Sequence, residues 1–254
     1  MVQSVLIVGG GSAGWITANL LNAHCRRTGR DTRIVLVESP DIPTIGVGEA
    51  TVPTIRRTLN DIGLPEQDFL ESTEATFKTL IRFKDWNLGE TYDHPFDRRP
   101  RPQSDTAAIA WSAQNGLPFD RHFSVLTQLA DFNTAPKSPR HPQYQAIFPY
   151  AYHLDAIKLA ARLSSFGQAN GIEYRLGNVV DVIVSPEGLI AGVKTDRGDD
   201  LTANLYIDCT GFRSVLLGGA LDVPVRSFEK HLLCDRAVTM RVPYDVYRPE
   251  RILT

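Results

Sequence analysis

The sequence has 254 residues, of which 43% are hydrophobic and 22% are charged, as in a soluble globular protein with one large or two small domains. Its formal net charge of −2 gives no electrostatic reason to expect binding to nucleic acid or to an anionic membrane. No apolar run approaches the roughly 20 residues of a membrane-spanning helix, and the N-terminus has neither the basic region nor the cleavage site of a signal peptide. We therefore expect a cytoplasmic protein.

The three cysteines and six histidines show no spacing that is typical of metal ligands. Cys25, Cys209 and Cys234 are far apart and form no C-x-x-C motif, and the histidines form no H-x-x-x-H pair. We predict reduced thiols and no metal site.

The N-terminal residues predict a strand, a glycine turn and a helix. An apolar run at 5–8 is followed at once by a G-x-G-x-x-G motif at 9–14, and an amphipathic segment begins at Trp15. This is the context in which the motif indicates a dinucleotide-binding site. A glycine-rich turn without a ligand is the alternative.

Each glycine of the motif has a separate expected role. Gly9 permits the tight turn, Gly11 lets a pyrophosphate approach the backbone, and Gly14 lets the helix pack closely on the strand. Ser12 and Ala13 open the helix, whose N-terminal N–H groups and dipole attract phosphate.

A second apolar run, at 33–37, ends in Glu38. An acid about 20 residues beyond the glycine motif is expected to bind a ribose hydroxyl, and it disfavours the 2′-phosphate of NADP. These residues therefore favour a site for FAD or NAD and do not choose between the two.

The middle of the sequence predicts a helix, a strand and a long excursion. A helical pattern over 51–70 is broken near 63–65, and alternation over 76–86 predicts a strand. Residues 95–149 contain eight of the sixteen prolines and predict a mostly irregular segment with short helical patches near 122–130. Such a segment is usually functional, and its aromatic residues disfavour disorder.

The last third predicts a helix that begins near residue 154, followed by a series of strands. The predicted strands are 172–176, 179–184, 189–195 and 201–208, and the last one runs into a second glycine turn at Gly211. Open α/β sheets bind their ligands at such carboxyl ends of strands. A β-meander followed by a strand that returns to a Rossmann sheet favours an FAD protein over an NAD dehydrogenase.

Six blocks of the sequence resemble, in the same order, blocks of the flavin-dependent tryptophan halogenases. The match with this family is found in GGGSAGW at 9–15, IGVGEATVP at 45–53, FK-x-x-IRF at 77–83, YHLDA at 152–156, IDCTGFR at 207–213 and LCDRAV at 233–238. The second block is specific to the family and its close relatives, whereas the glycine motif alone is shared with a vast class. The resemblance covers nearly the whole chain except 95–149.

The resemblance implies an α/β fold: a three-layer, FAD-binding Rossmann-like fold of the glutathione-reductase and hydroxylase type, with a β-meander and a long irregular insertion. Residues 1–93 and 150–238 would form the FAD-binding core, and residues 94–149 a substrate-side excursion.

The resemblance also implies the chemistry, which is FADH2-dependent halogenation of an aromatic substrate such as tryptophan or another indole. A separate flavin reductase would supply FADH2, and O2 with chloride or bromide would be co-substrates that yield hypohalous acid. By motif position, Lys78 is the catalytic lysine that holds this acid, or carries its halogen as a chloramine, beside one carbon of the substrate. Without the resemblance, Lys78 would be interpreted as a solvated lysine.

The loop at 42–48 would run along the flavin. The predicted cofactor-binding residues are Gly9, Gly11, Ser12, Ala13, Gly14, Glu38, Ser39, Ile42, Ile45, Val47, Gly48, Ala50, Val180 and Gly211. His94 and Phe96 stand where the family often has a pair that stacks on the substrate ring, and packed loop aromatics are the alternative.

The sequence departs from the family at its end, because members are about twice as long. We expect an incomplete module that lacks the W-x-W-x-I-P block and the C-terminal half, which supplies a carboxylate partner for the lysine and the halide site. The alternatives are an FAD-dependent aromatic monooxygenase of the same fold, an NAD-dependent oxidoreductase and an inactive flavin-binding fragment. The residues leave open the substrate, the halogenated position, the choice of halide and whether a homodimer forms.

Overall fold

A computed structural model describes residues 2–43, 49–85, 87–97, 102–232, 234–236 and 238, without the side chains of 102–105. The chain forms two compact units. The first unit comprises the described residues of 1–47, 61–64 and 155–240, and the second comprises those of 48–60 and 65–154.

The described strands are β1 (Ser4–Val8), β2 (Arg33–Glu38), β3 (Glu49–Ala50), β4 (Thr76–Lys78), β5 (Leu80–Lys84), β6 (Thr91–Pro95), β7 (Ala151–Leu154), β8 (Glu173–Leu176), β9 (Val179–Val184), β10 (Ile190–Thr195), β11 (Asp200–Leu201) and β12 (Leu205–Asp208). The described helices are α1 (Ser12–Arg27), α2 (Thr54–Ile62), α3 (Glu66–Ser72), α4 (Pro102–Gln114), α5 (Phe119–Phe123), α6 (Val125–Asp131) and α7 (Ala156–Ala169). A 3₁₀ turn (Gly211–Arg213) and a π-helical turn (Val215–Ala220) follow β12.

The first unit is built on a four-stranded parallel sheet in the order β12-β1-β2-β8. The apolar runs of β1 and β2 are buried on both faces, which explains why they read as continuous hydrophobic stretches. Helix α1 connects these two strands and packs against α7, where the buried Asn19 side chain donates to the carbonyls of Trp15 and Leu163. The predicted β-α-β unit is confirmed.

A three-stranded antiparallel meander, β9-β10-β11, packs on the sheet. Leu6, Val8, Val35 and Val37 of the sheet meet Val193 of the meander in one buried cluster. Because side chains alternate along a strand, the neighbouring residues of β1 and β2 face the opposite side of the sheet. Helices, sheet and meander give the three-layer α/β architecture that the sequence predicts.

Two strands differ from the sequence prediction. Residues 173–176 were expected beside the meander strands, but β8 pairs in parallel with β2 and completes the main sheet. The predicted strand 201–208 is divided, since β11 pairs with the meander and β12 pairs with β1. The Tyr206 hydroxyl donates to the Ala191 carbonyl and accepts from the Ala203 amide, which fixes the change of sheet.

The second unit contains a three-stranded antiparallel sheet, β3-β7-β4, and a hairpin, β5-β6. Phe69, Phe77, Tyr150 and Tyr152 pack together with edge-to-face and tilted ring contacts at 4.8–6.1 Å between centroids. In the hairpin, Arg82 forms a bidentate ion pair with the buried Asp93. These contacts give the unit its own core.

A buried carboxylate joins four parts of the second unit. Glu66, which is 4% exposed, accepts hydrogen bonds from Lys137 Nζ at 2.6 Å, from the Tyr144 amide at 2.6 Å, and from the hydroxyls of Tyr150 at 2.6 Å and Tyr152 at 2.7 Å. Burial acts to raise the pKa of Glu66, but these hydrogen bonds outweigh it and the pKa is lowered. Glu66 is therefore an ionised carboxylate inside the unit, and both of its oxygens accept hydrogen bonds.

The predicted excursion is more ordered than its prolines suggest. Helices α4, α5 and α6 occupy much of the described part up to Asp131, and the longest described stretch without helix or strand runs from 132 to 150. Pro102 stands at the first position of α4, and Pro118 is the N-cap of α5. Proline is compatible with both positions because no helical N–H is lost there, so the prolines mark helix starts.

In the part of the chain that the structure describes, no helix is long and apolar enough to cross a membrane. The same residues contain no group of three or more His, Cys, Asp or Glu side chains that could hold a metal ion.

Candidate functional site

The glycine motif forms a tight turn between β1 and α1 in the first unit. Gly9 has φ +115°, and a Cβ atom there would lie 2.2 Å from the carbonyl oxygen of Cys209. A Cβ atom on Gly14 would lie 1.8 Å from the Gly9 carbonyl oxygen. Both positions therefore require glycine, for the turn and for the approach of helix to strand.

Gly11 differs from these two glycines because space is open in front of it. A Cβ atom at Gly11 would meet no heavy atom within 4 Å. Gly11 is also the N-cap of the 16-residue helix α1, whose first turn contains no acidic side chain. Open space beside free N–H groups at a helix N-terminus suits the pyrophosphate of a dinucleotide. Ser12 and Ala13 begin this helix.

Glu38 lies directly over the glycine turn. A Cβ atom on Gly10 would lie 2.1 Å from Glu38 Cδ, so Gly10 makes room for this carboxylate. Burial raises the pKa of Glu38, while hydrogen bonds from Tyr174 and Trp15 act in the opposite direction. Gly10 is not among the predicted cofactor-binding residues, although its place in the middle of three consecutive glycines was a signal.

The second glycine turn adjoins the first. The Cys209 amide donates to the Val8 carbonyl at 2.7 Å, and Gly211 follows with φ +61°. Asp208, at the end of β12, accepts from the amides of Thr210, Leu216 and Leu217. The carboxyl ends of β1 and β12 thus carry glycine turns side by side, where open α/β sheets bind ligands.

The other predicted cofactor residues lie in different surroundings. The Ser39 hydroxyl donates to the Asn178 side chain, and Ile42 and Val180 are exposed. Ala50 belongs to β3 in the second unit. Ile45, Val47 and Gly48 lie outside the described residues.

In the second unit, Lys78 is a buried lysine with only 7% of its surface exposed. It ends strand β4, and its Nζ donates to the backbone carbonyl of Thr51 at 3.1 Å. The ammonium also lies 5.4 Å from the ring centroid of Phe96, within cation–π distance. Burial lowers the pKa of Lys78. This environment differs from that of a solvated lysine.

Lys78 lines a cavity of about 700 Å³ within the second unit. The walls come mainly from β4 and β5, from the end of α6 with the following residues 133–136, and from Ala50 and His153. Thr76 stands opposite His153 in the strand pair, and Lys78 is two residues further along. Lys78 and His153 therefore share one face of the sheet as diagonal neighbours.

His153 was not identified as a site residue from the sequence, although it lies in the YHLDA block. Burial and the nearby positive charge of Lys78 lower the pKa of His153. The cavity thus contains a neutral imidazole beside the lysine at neutral pH.

The two predicted substrate residues have different surroundings in the structure. Phe96 is half-buried and contacts Lys78, whereas His94 is exposed and pairs across the hairpin with Ile81. Neither residue is among those that line the cavity.

Comparison with known proteins places the whole described chain in one family. The family model described as tryptophan halogenase matches residues 4–250. The tryptophan 6-halogenase SttH of Streptomyces toxytricini is 36% identical over 96% of this chain, and the tryptophan 7-halogenase RebH of Lentzea aerocolonigenes is 31% identical over 96%. These alignments cover 50% and 49% of the two relatives, so the chain spans about half of their length.

Solved structures agree with this assignment. The crystal structure of SttH has a TM-score of 0.78 at 35% identity, covering 90% of this chain and 48% of that protein. The flavin-dependent halogenase BrvH of Brevundimonas sp. BAL3 has a TM-score of 0.76 at 33% identity, covering 90% and 46%. The predicted FAD-binding Rossmann-like fold and the predicted resemblance are both confirmed. The chain belongs to the tryptophan halogenase family.

Proposed function

We propose that this chain provides the flavin-binding side and the lysine side of an FADH2-dependent halogenase. The substrate would be an aromatic compound, tryptophan or another indole, and the halogen would come from hypohalous acid delivered through Lys78. The observation that carries the proposal is a buried Lys78 in the wall of a large cavity, in a chain of this family.

The glycine turn fits a flavin dinucleotide. Gly11 and the N-terminus of α1, with Ser12 and Ala13, would receive the pyrophosphate, and Glu38 would face the ribose. When bound and reduced by a separate flavin reductase, FAD supplies the reducing equivalents with which O2 and chloride or bromide yield hypohalous acid. Ser39, Ile42, Val180 and Gly211 are likewise proposed to contribute to flavin binding.

Lys78 would act as a hydrogen-bond donor to the hypohalous acid. An ammonium has three N–H donors, and the Thr51 carbonyl uses one of them. The remaining donors can polarise the oxygen of the acid. The electron-rich ring then attacks the halogen, the halogen–oxygen bond breaks, and the oxygen leaves as water with the proton that the ring carbon loses. The burial of Lys78 limits the access of bulk water to its amine, which keeps an electrophilic oxidant held there from escaping before it meets the ring. Because the lysine is fixed, its position would select the carbon that is halogenated.

Phe96 contributes an apolar surface beside this amine. Its ring at 5.4 Å favours the charged form of Lys78 and is available to pack against an indole. His94 is proposed to approach the substrate from the exposed face of the hairpin.

The proposal is tested by mass spectrometry of an aerobic reaction that contains the protein, FAD, a flavin reductase with NADH, bromide and a panel of tryptophan and simple indoles. The Lys78→Ala variant is compared with Lys84→Ala, which removes an exposed lysine from the adjacent strand β5. We expect the paired isotope pattern of bromine with the wild type and with Lys84→Ala, and none with Lys78→Ala. Bromination by Lys78→Ala would refute the role of the lysine, and a hydroxylated product would indicate a monooxygenase.

A further inference from the structure

We propose that Thr51 is a positioning residue for Lys78. Its backbone carbonyl holds the lysine amine, and its side-chain hydroxyl holds that carbonyl in place by fixing residue 51 to strand β7. The inference rests on the proposed role of Lys78, and it assigns a function to a residue that does not itself contact the reacting atoms.

Thr51 forms three hydrogen bonds with a single residue of β7. Its amide donates to the Tyr152 carbonyl at 2.9 Å, and its hydroxyl donates to the same oxygen at 2.9 Å. The Tyr152 amide in turn donates to the Thr51 hydroxyl at 3.0 Å. Backbone and side chain of Thr51 are thus both fixed, directly after the β3 pair of Ala50 with His153.

Tyr152 is itself a rigid support. It is fully buried, its hydroxyl donates to Glu66 at 2.7 Å, and its ring contacts Phe69 at 4.8 Å between centroids. A residue held by packing and by a charged hydrogen bond offers an immobile reference for Thr51.

The same strand fixes both ends of Lys78. The backbone of Lys78 pairs with Ala151 of β7, and its Nζ reaches the carbonyl of Thr51, which is fixed to the next residue of β7. A lysine side chain loses up to about 2 kcal/mol of rotamer freedom when it is ordered, so an unanchored amine would sample several positions in the cavity. The Thr51 carbonyl selects one position.

A carbonyl anchor also preserves the chemistry of the lysine. It stabilises the ammonium by one hydrogen bond and leaves its positive charge in place. Lys78 therefore keeps donors for a ligand while its nitrogen remains in place.

The contact can be observed directly, because Thr51-Val52 is the only Thr-Val pair in the sequence. Protein labelled with [1-¹³C]threonine and [¹⁵N]valine gives a single cross-peak in a carbon-detected carbonyl–nitrogen spectrum, which needs no amide proton at high pH. We expect the Thr51 carbonyl shift to titrate between pH 7 and pH 11 as Lys78 loses its proton, and to be flat in Lys78→Met. A flat wild-type titration, or the same titration in Lys78→Met, would overturn the proposal. His153→Gln should retain the titration, which separates the lysine from the imidazole that lines the same cavity.

The hydroxyl is tested with two variants of Thr51, in which the carbonyl label is moved to the new residue 51 with [1-¹³C]serine or [1-¹³C]valine. The cross-peak of residue 51 is then the one that is missing from wild-type protein labelled in the same way. Thr51→Ser retains the hydroxyl and should keep the titration, whereas the nearly isosteric Thr51→Val should lose at least half of its amplitude. Unfolding of Thr51→Val alone would also show that the hydroxyl holds this segment on β7. Full amplitude in a folded Thr51→Val protein would contradict the role of the hydroxyl.

This titration requires no flavin, halide or substrate, so it is independent of halogenase activity. An intact titration without any brominated product would contradict the proposed function and leave the positioning contact standing. In an active preparation, Thr51→Val should give less brominated product per O2 consumed, and Thr51→Ser should restore the ratio.

Discussion

Replacing Glu66 by glutamine should destabilise the second unit more than any surface substitution. The carboxylate is buried and accepts from Lys137, Tyr144, Tyr150 and Tyr152, four residues that lie 71 to 86 positions further along the chain. Glutamine has nearly the same shape, so the substitution leaves no large cavity. It removes the negative charge and replaces one acceptor oxygen with an amide group that only donates.

The expected loss of stability in Glu66→Gln follows from the buried groups that the substitution leaves without a partner. Lys137, with a side chain 9% exposed, would lose its ionic partner at 2.6 Å. Breaking a buried pair by removing one charge costs about 3–5 kcal/mol, and each buried donor left without an acceptor costs about 1–3 kcal/mol. We expect a loss of about 3–5 kcal/mol in the free energy of unfolding, because the glutamine oxygen can still accept from one or two of the donors.

The assay is urea unfolding followed by aromatic fluorescence and circular dichroism. Glu71→Gln is the matched control, since Glu71 lies on the same helix, is exposed and accepts only from Gln67 among the described hydrogen bonds. The control should change stability by less than about 0.5 kcal/mol. A loss below about 1 kcal/mol for Glu66→Gln, similar to that of the control, would refute the view that this carboxylate organises the unit.

Three further predictions concern the flavin side and the dependence on pH. Gly11→Val should leave the melting temperature nearly unchanged, because its side chain enters the open space at the turn. The same side chain should weaken FAD binding at least tenfold in a flavin fluorescence titration. An unchanged affinity for FAD would exclude this turn as the pyrophosphate site. Gly9→Ala should reduce the free energy of unfolding by about 3 kcal/mol or more and so lower the melting temperature, because a Cβ atom there meets the Cys209 carbonyl oxygen at 2.2 Å. A variant as stable as the wild type would show that the turn can relax. Hydrogen bonds lower the pKa of Glu66 and of Asp208, although burial alone would raise both. The two ionised carboxylates therefore stabilise the folded protein above about pH 4.5, and this contribution to the free energy of unfolding should be lost as the pH falls below that value and they become protonated. A melting temperature that stays constant between pH 5 and pH 3 would contradict this assignment.

Local patterns predicted the first unit well because its signals are local. The apolar runs of β1 and β2, the glycine turn and the start of α1 lie within 38 consecutive residues, and each follows from nearby sequence. The partner of β8 was not predictable in this way. A four-residue strand that is half-buried along most of its length suits a meander or a sheet edge equally, and its pairing with β2 is a long-range contact.

The burial of Lys78 is a second feature that local sequence patterns could not predict. Alternation over 76–86 predicts a strand but gives no sign that its lysine is buried. Burial arises because β4 pairs with β7, which is far away in the sequence, and because the Thr51 carbonyl lies within reach of Nζ. Glu66 is a similar case, since a glutamate in the first turn of a helix is normally a solvated residue that complements the helix dipole. Its donors lie some 70 to 90 residues further along the chain.

The sequence blocks that resemble the halogenase family point to contacts between distant parts of the chain, which hydrophobic periodicity cannot predict. In the second unit, parts of the blocks at 45–53, 77–83 and 152–156 meet in the sheet β3-β7-β4, where they bring together Thr51, Lys78 and His153. In the first unit, the blocks at 9–15 and 207–213 meet at the carboxyl ends of β1 and β12. Blocks that are distant in sequence therefore converge on one edge or one cavity within each unit. This convergence is expected if these five blocks each supply part of a ligand site, as we propose, and the variants of Gly11 and Lys78 test the proposal separately for the two units.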